Sequence, residues 1–205
     1  MTTQIDPKGI FKKLVEYAEK FAPKISSVWT SALWTCYLYV FFNECGLDYD
    51  FEIESGKMNR GRVLYDLYWL EGTECKLVLE VENTCSKLER KIDLLIDREK
   101  CKTQFRVLIG STGACTPEKI KENREDLVKK LKGKLMKKPI EGRFLLIFVD
   151  TACPHLRRAK RECPRMGLKE HLNGQDCKIQ FKGYLVNSDG STIQLGPEEV
   201  STLRA

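Results

Sequence analysis

The chain has 205 residues, of which 42% are apolar, 31% charged and 9% aromatic. That composition supports one domain with its own hydrophobic core and excludes a wholly disordered chain. Lys and Arg number 35 against 29 Asp and Glu, a net charge of +6, and the ten basic and four acidic residues between Lys119 and Arg143 alone match that excess. Such a segment suits a polyanion or an anionic surface, or else forms a solvated helix face.

Nine cysteines, an odd number with no C-x-x-C pair, argue against a disulfide scaffold and a zinc ribbon, and a reducing intracellular, cytoplasmic setting is expected. Residues 1–24 are charged and lack the pattern of a secretory signal, so export is not expected. Ile25 to Asn43 is free of charge, but Ser26, Ser27, Thr30, Ser31 and Thr35 dilute it. It is predicted as a buried helix, with no membrane partner.

In chain order, Asp6 and Pro7 form a helix start, and Phe11, Leu14, Tyr17, Ala18 and Phe21 recur at helical spacing up to Pro23. A second helix is predicted from about Ser27 to Glu44, ended by Gly46. Tyr49, Phe51 and Ile53 alternate with Asp50, Glu52 and Glu54, the period of a half-buried strand. Residues 62–70 and 75–82 are two further strands about the turn-like Glu71-Gly72-Thr73-Glu74, so an antiparallel three-strand meander is predicted.

Ser86 and Glu89 read as a capping box ahead of Leu88, Ile92, Leu95 and Ile96. Residues 104–110 form a fourth strand, and Thr116-Pro117 opens a Lys-rich helix that Gly133 ends or bends. Residues 143–149 are a nearly continuous apolar strand covered on both faces. A hairpin about Asn187 to Gly190 follows. The predicted class is α/β, with a core over residues 1–150 and an extension over 151–205 packed on it.

The informative feature is acid inside apolar strands, because a carboxylate there must be paired, protonated or bound to a metal. Asp66 interrupts Val63 to Trp69, and Glu80 and Glu82 fall on one face of the next strand by period two. Two carboxylates on one face repel unless a cation such as Mg²⁺ lies between them, or they belong to a solvated sheet face. A strict two-residue turn at Gly72-Thr73 places Asp66 opposite Leu79, on the other face. A bulge or an odd loop unites it with Glu80.

An Asp on the second strand, an acid-x-acid group Glu80-Val81-Glu82 on the third, and the surrounding element order resemble the PD-(D/E)XK nuclease superfamily over about residues 26–150. Two departures stand out: Glu82 occupies the place of the usual Lys, and no Pro precedes Asp66. The acid often supplied by the family's first core helix is also missing. The resemblance implies a restriction-endonuclease-like core and metal-dependent phosphodiester hydrolysis of nucleic acid, with DNA the expected form. Asp66, Glu80 and the carbonyl of Val81 would then hold Mg²⁺ or Mn²⁺, and Glu82 would orient or deprotonate the attacking water. Lys87 or Lys91 would supply positive charge at the phosphate, or are ordinary surface lysines of the helix.

Phosphate contacts are expected from Lys57, Arg60, Arg62 and Lys91, and from the basic helix through Lys129, Lys130, Lys134, Lys137 and Lys138. The alternative is a catalytically silent module of that fold, binding nucleic acid or a protein. Zinc held by Cys153, His155, Cys163, His171 and Cys177 is a third reading, weakened by the ligand spacing. A homodimer through Trp29, Trp34, Tyr37 and Phe41 is expected if two strands are cut, although core packing explains those aromatics equally well.

Overall fold

In a computed structural model, the described residues are 5–21, 32–55, 65–82, 84–97, 103–114, 116–151 and 179–200. Their elements run α1 (Pro7–Phe21), α2 (Ala32–Asp48), β1 (Glu52–Ser55), β2 (Leu67–Glu71), β3 (Glu74–Glu82), α3 (Cys85–Asp97), β4 (Phe105–Gly110), α4 (Pro117–Lys137), β5 (Arg143–Thr151), β6 (Ile179–Val186) and β7 (Thr192–Val200). The class is mixed α/β. All seven strands join one sheet in sequence order. β1, β2 and β3 form the predicted antiparallel meander, β3, β4 and β5 run parallel, and β6 and β7 return antiparallel.

Parallel neighbours need long crossovers, and α3 and α4 supply them. Leu88, Ile92, Leu95 and Ile96 of α3 and Leu127, Leu131 and Leu135 of α4 pack with Val78, Leu108 and Leu146 on one sheet face. Ile10, Leu14 and Ala18 of α1 and Leu38, Phe41 and Phe42 of α2 pack with Leu77, Leu79, Val107 and Ile147 on the other. Strands covered on both faces explain the near-continuous apolar runs of β4 and β5. The C-terminal hairpin continues this sheet through the β5–β6 pairing.

Helix starts follow local chemistry. The Asp6 side chain accepts from Lys8 N at 3.0 Å, and Thr116, in extended conformation, accepts from Lys119 N at 3.4 Å with Pro117 beginning the helix. The capping box on α3 is not formed. The helix begins at Cys85, which places Ser86 inside its first turn, and Glu89 pairs with Lys130 at 3.0 Å. Nor does Gly133 end α4, which continues to Lys137.

The predicted stop at Gly46 is also corrected: α2 runs through it to Asp48. Gly46 is there for contact rather than for termination. A Cβ at this position would lie 2.1 Å from Ile53 Cδ1 and 2.8 Å from Trp69 Nε1, and the buried indole is fixed by donating to Phe42 O at 3.0 Å. Gly46→Ala is therefore expected to cost about 1–3 kcal/mol through overpacking, measured as a lowered urea midpoint with an unchanged slope. β1 begins at Glu52 rather than Tyr49, because Asp50 takes a left-handed turn at φ 57°. Among the described residues, no helix is long and apolar enough to cross a membrane.

Candidate functional site

The turn between β2 and β3 has two residues, Gly72 and Thr73, and pairs Glu71 with Glu74. Gly72 takes φ 59°, which a glycine adopts without strain. This turn alone would send Asp66 to the wrong face, but the register shifts further along. Leu70 pairs with Cys75 and Trp69 with Leu77, so Lys76 is the extra residue of a bulge. Its nearly buried ammonium is held by Glu71 at 2.7 Å and Glu74 at 2.5 Å. Beyond the bulge Leu67 pairs with Leu79, and Asp66 N donates to Leu79 O at 3.0 Å. Asp66 thereby comes beside Glu80.

Asp66 Oδ2 accepts from Val81 N at 2.8 Å, which fixes the carboxyl at the end of the meander. Glu80 is fully buried, and its Oε2 accepts from Lys91 of α3, whose side chain is 27% exposed. Among the described residues its other oxygen, Oε1, has no hydrogen-bond partner. The Tyr39 phenol, from α2, lies close enough to feel the charge of both Asp66 and Glu80. Burial pushes Glu80 up to about 7; the Lys91 ammonium opposes the rise and the neighbouring Asp66 adds to it. Burial and the two carboxyls likewise raise the Tyr39 phenol above its ordinary value.

The other residues singled out from sequence lie elsewhere. Glu82 turns back, its Oε1 accepting from Thr84 N at 2.8 Å at the entry to α3. Lys87 is exposed one turn before Lys91. Lys57, Arg60 and Arg62 lie outside the described residues, as do Trp29 and the cysteines and histidines from Cys153 to Cys177. Much of the basic face of α4 is answered by acids: Lys130 meets Glu89 at 3.0 Å and Asp126 at 3.1 Å, and Lys134 meets Asp93 at 2.5 Å. Lys129 and Lys137 are exposed, and Lys138 is half-buried. The Trp34 side chain is not among those described; Tyr37 is half-buried against the core, and Phe41 is buried with its ring centroid 5.3 Å from that of Tyr17.

A second polar cluster, which the sequence reading did not single out, ties the ends of β4 and β5 to α4. Fully buried Asp150 accepts from Ser111 Oγ at 3.1 Å and from Thr112 N at 2.6 Å through Oδ1, and from Arg124 Nε at 2.8 Å through Oδ2. Its signal in the sequence was an acid closing the apolar run of β5, and an Arg at helical spacing among Ile120, Leu127 and Val128.

No family model and no curated protein matches the chain. Among solved structures, it is similar to a carbon-nitrogen hydrolase from Helicobacter pylori G27, at 12% identity and a TM-score of 0.42, over 98% of this chain and 70% of that one. A likeness at this level defines neither a family nor an activity. The resemblance to the PD-(D/E)XK superfamily thus finds no support in any of these matches. The site corrects it physically as well: Glu82 serves the strand-to-helix turn, and the cation beside Glu80 is Lys91. Among the described residues no group of three or more His, Cys, Asp or Glu gathers to hold a metal ion. The expectation of Mg²⁺ or Mn²⁺ rested on three converging acids, and two converge. Phosphodiester hydrolysis, and the silent nucleic-acid or protein-binding module of the same family, are therefore withdrawn.

Proposed function

We propose that Tyr39, Asp66, Glu80 and Lys91 form an acid–base catalytic site, in which half-exposed Asp66 meets the substrate and buried Glu80 stores the proton. The observation that carries this reading is Glu80 Oε1: a fully buried carboxyl oxygen without a hydrogen-bond partner among the described residues, beside a second carboxyl. Burying a carboxyl with one oxygen unsatisfied is costly, and holding a proton there lowers the cost. Burial first, and the neighbouring Asp66 after it, raise Glu80 to about 7, so Glu80 holds its proton into the neutral range, where general acids and bases are most effective. Lys91 keeps Glu80 from becoming wholly inert by favouring its charged form, and the Tyr39 phenol lies beside both carboxyls.

The unit β1 to β5, a meander followed by a crossover helix and further parallel strands, is read as restriction-endonuclease-like in arrangement, and it carries no phosphodiester chemistry with it.

The test is a panel of chromogenic esters, amides and glycosides assayed from pH 5 to 9. Asp66→Asn is expected to lower kcat/KM by about 10²–10⁴-fold, the usual worth of a positioned acid or base. Glu80→Gln is expected to remove the ionisation near neutral pH from the rate profile. Activity indifferent to Asp66→Asn would place the chemistry elsewhere.

A further inference from the structure

We infer that the cleft between α4 and the hairpin β6–β7 is a binding site for a small phosphate-bearing ligand, with Lys182 as its central contact. The cleft encloses about 430 Å³, within the range of small-molecule pockets. Lys121 and Arg124 line it from α4, Gln180 and Lys182 from β6, and Glu199 from β7. It lies on the same sheet face as Glu80 but farther across: Glu82 pairs with Gly110, Gly110 with Phe148, and Phe148 with Lys182. Three strand spacings separate those rows, about 14 Å, so this is a separate site from the acid–base cluster.

The charges in the cleft are unequal. Arg124 is matched by Asp150, and exposed Lys121 reaches Glu125 only at 3.9 Å. Lys182 is half-buried and makes no ion pair among the described residues; its ammonium lies 5.5 Å above the Tyr184 ring. The lining acid, Glu199, accepts from Gln180 Nε2 at 3.0 Å. A partly desolvated ammonium with no ion-pair partner is costly unless an anion joins it. Burial, with Arg124 and, less strongly, Lys121, lowers the Lys182 pKa against the opposing pull of Glu125. The first turn of α4, opening at Pro117, adds its positive end to the same cleft. Lysine and the edge of a guanidinium are the usual partners of a phosphate oxygen, and the volume leaves room for the organic part of a phosphate monoester.

The experiment is calorimetric titration with pyrophosphate as the probe, at matched ionic strength, on the full chain. Saturable binding is expected, weakened at least tenfold in Lys182→Met, retained within a few-fold in Lys182→Arg, and unchanged in Lys129→Met, which removes an exposed lysine outside the cleft. Pyrophosphate should also raise the melting temperature of the wild type more than that of Lys182→Met, and thermal melting verifies that each variant folds. Asp66→Asn should bind as the wild type does, which separates this inference from the acid–base proposal. Absence of saturable binding by the wild type, undiminished binding by Lys182→Met, or an equal loss in Lys129→Met overturns it.

Discussion

Replacing Asp150 by Ala is expected to lower the unfolding free energy by about 3–5 kcal/mol, the cost of leaving one member of a buried ion pair without its partner. Arg124, 4% exposed, would keep its charge with its main counter-ion gone, and Thr112 N and Ser111 Oγ would lose their shared acceptor. The damage spreads because these groups join the ends of two parallel strands to the crossover helix. Urea unfolding of the wild type, Asp150→Ala and the double variant Asp150→Ala/Arg124→Met measures it. The double variant is expected to recover part of the loss, since it removes the stranded charge. A single variant within about 0.5 kcal/mol of wild type, the ordinary range for surface positions, would mean that Arg124 is solvated.

The second large effect is in the pH dependence of stability. Glu80 is raised from 4.5 to about 7 in the folded protein, so its sign is opposite to that of a salt-bridged surface carboxylate. Below pH 4.5 the group is protonated in both folded and unfolded chains, and its contribution is fully present. Between 4.5 and 7 the unfolded chain releases the proton that the folded chain keeps, and stability falls by about 1.4 kcal/mol per pH unit. Above 7 the loss is complete, at about 3 kcal/mol. Glu80→Gln does not titrate, so the stability of wild type relative to this variant should fall by that amount from pH 4.5 to 7 and then level off. Asp66, Lys91 and Tyr39 are present in both proteins, so the difference between the two curves isolates Glu80. Denaturation curves that run parallel for the two proteins across the window would contradict a raised Glu80.

Much of the element order was legible because burial follows period. The alternation of Phe51 and Ile53 with Glu52 and Glu54, the apolar run of β5, and the helical spacing of Leu88, Ile92 and Leu95 each state which faces are covered. Gly46 and Ser86 misled because their meaning is tertiary or depends on one residue of register. The close approach of Trp69 explains the glycine, and a helix beginning at Cys85 removes the serine from the cap. The neighbourhood of Asp66 and Glu80 was legible only as a condition, that a bulge intervene; the extra residue is Lys76, held between Glu71 and Glu74.

What the acids do was less legible. Period two places Glu80 and Glu82 on one face but leaves the rotamers open, and Glu82 finds Thr84 N. Lys87 and Lys91 lie one turn apart, and only packing of α3 against β3 selects Lys91 for Glu80. The excess charge of α4 overstated its free surface, because α3 presents Glu89 and Asp93 to it. Tyr39 comes from the helix on the opposite side of the sheet, a juxtaposition to which no local spacing points.

The most direct measurement is a carbon-detected NMR titration of the Glu80 side-chain carboxyl, assigned by comparison with Glu80→Gln, in the wild type and in Lys91→Met. The expected midpoint is about 7 in the wild type, moving higher when the Lys91 ammonium is removed. A midpoint near the ordinary glutamate value of about 4.3, unmoved by Lys91→Met, would contradict the shared-proton site.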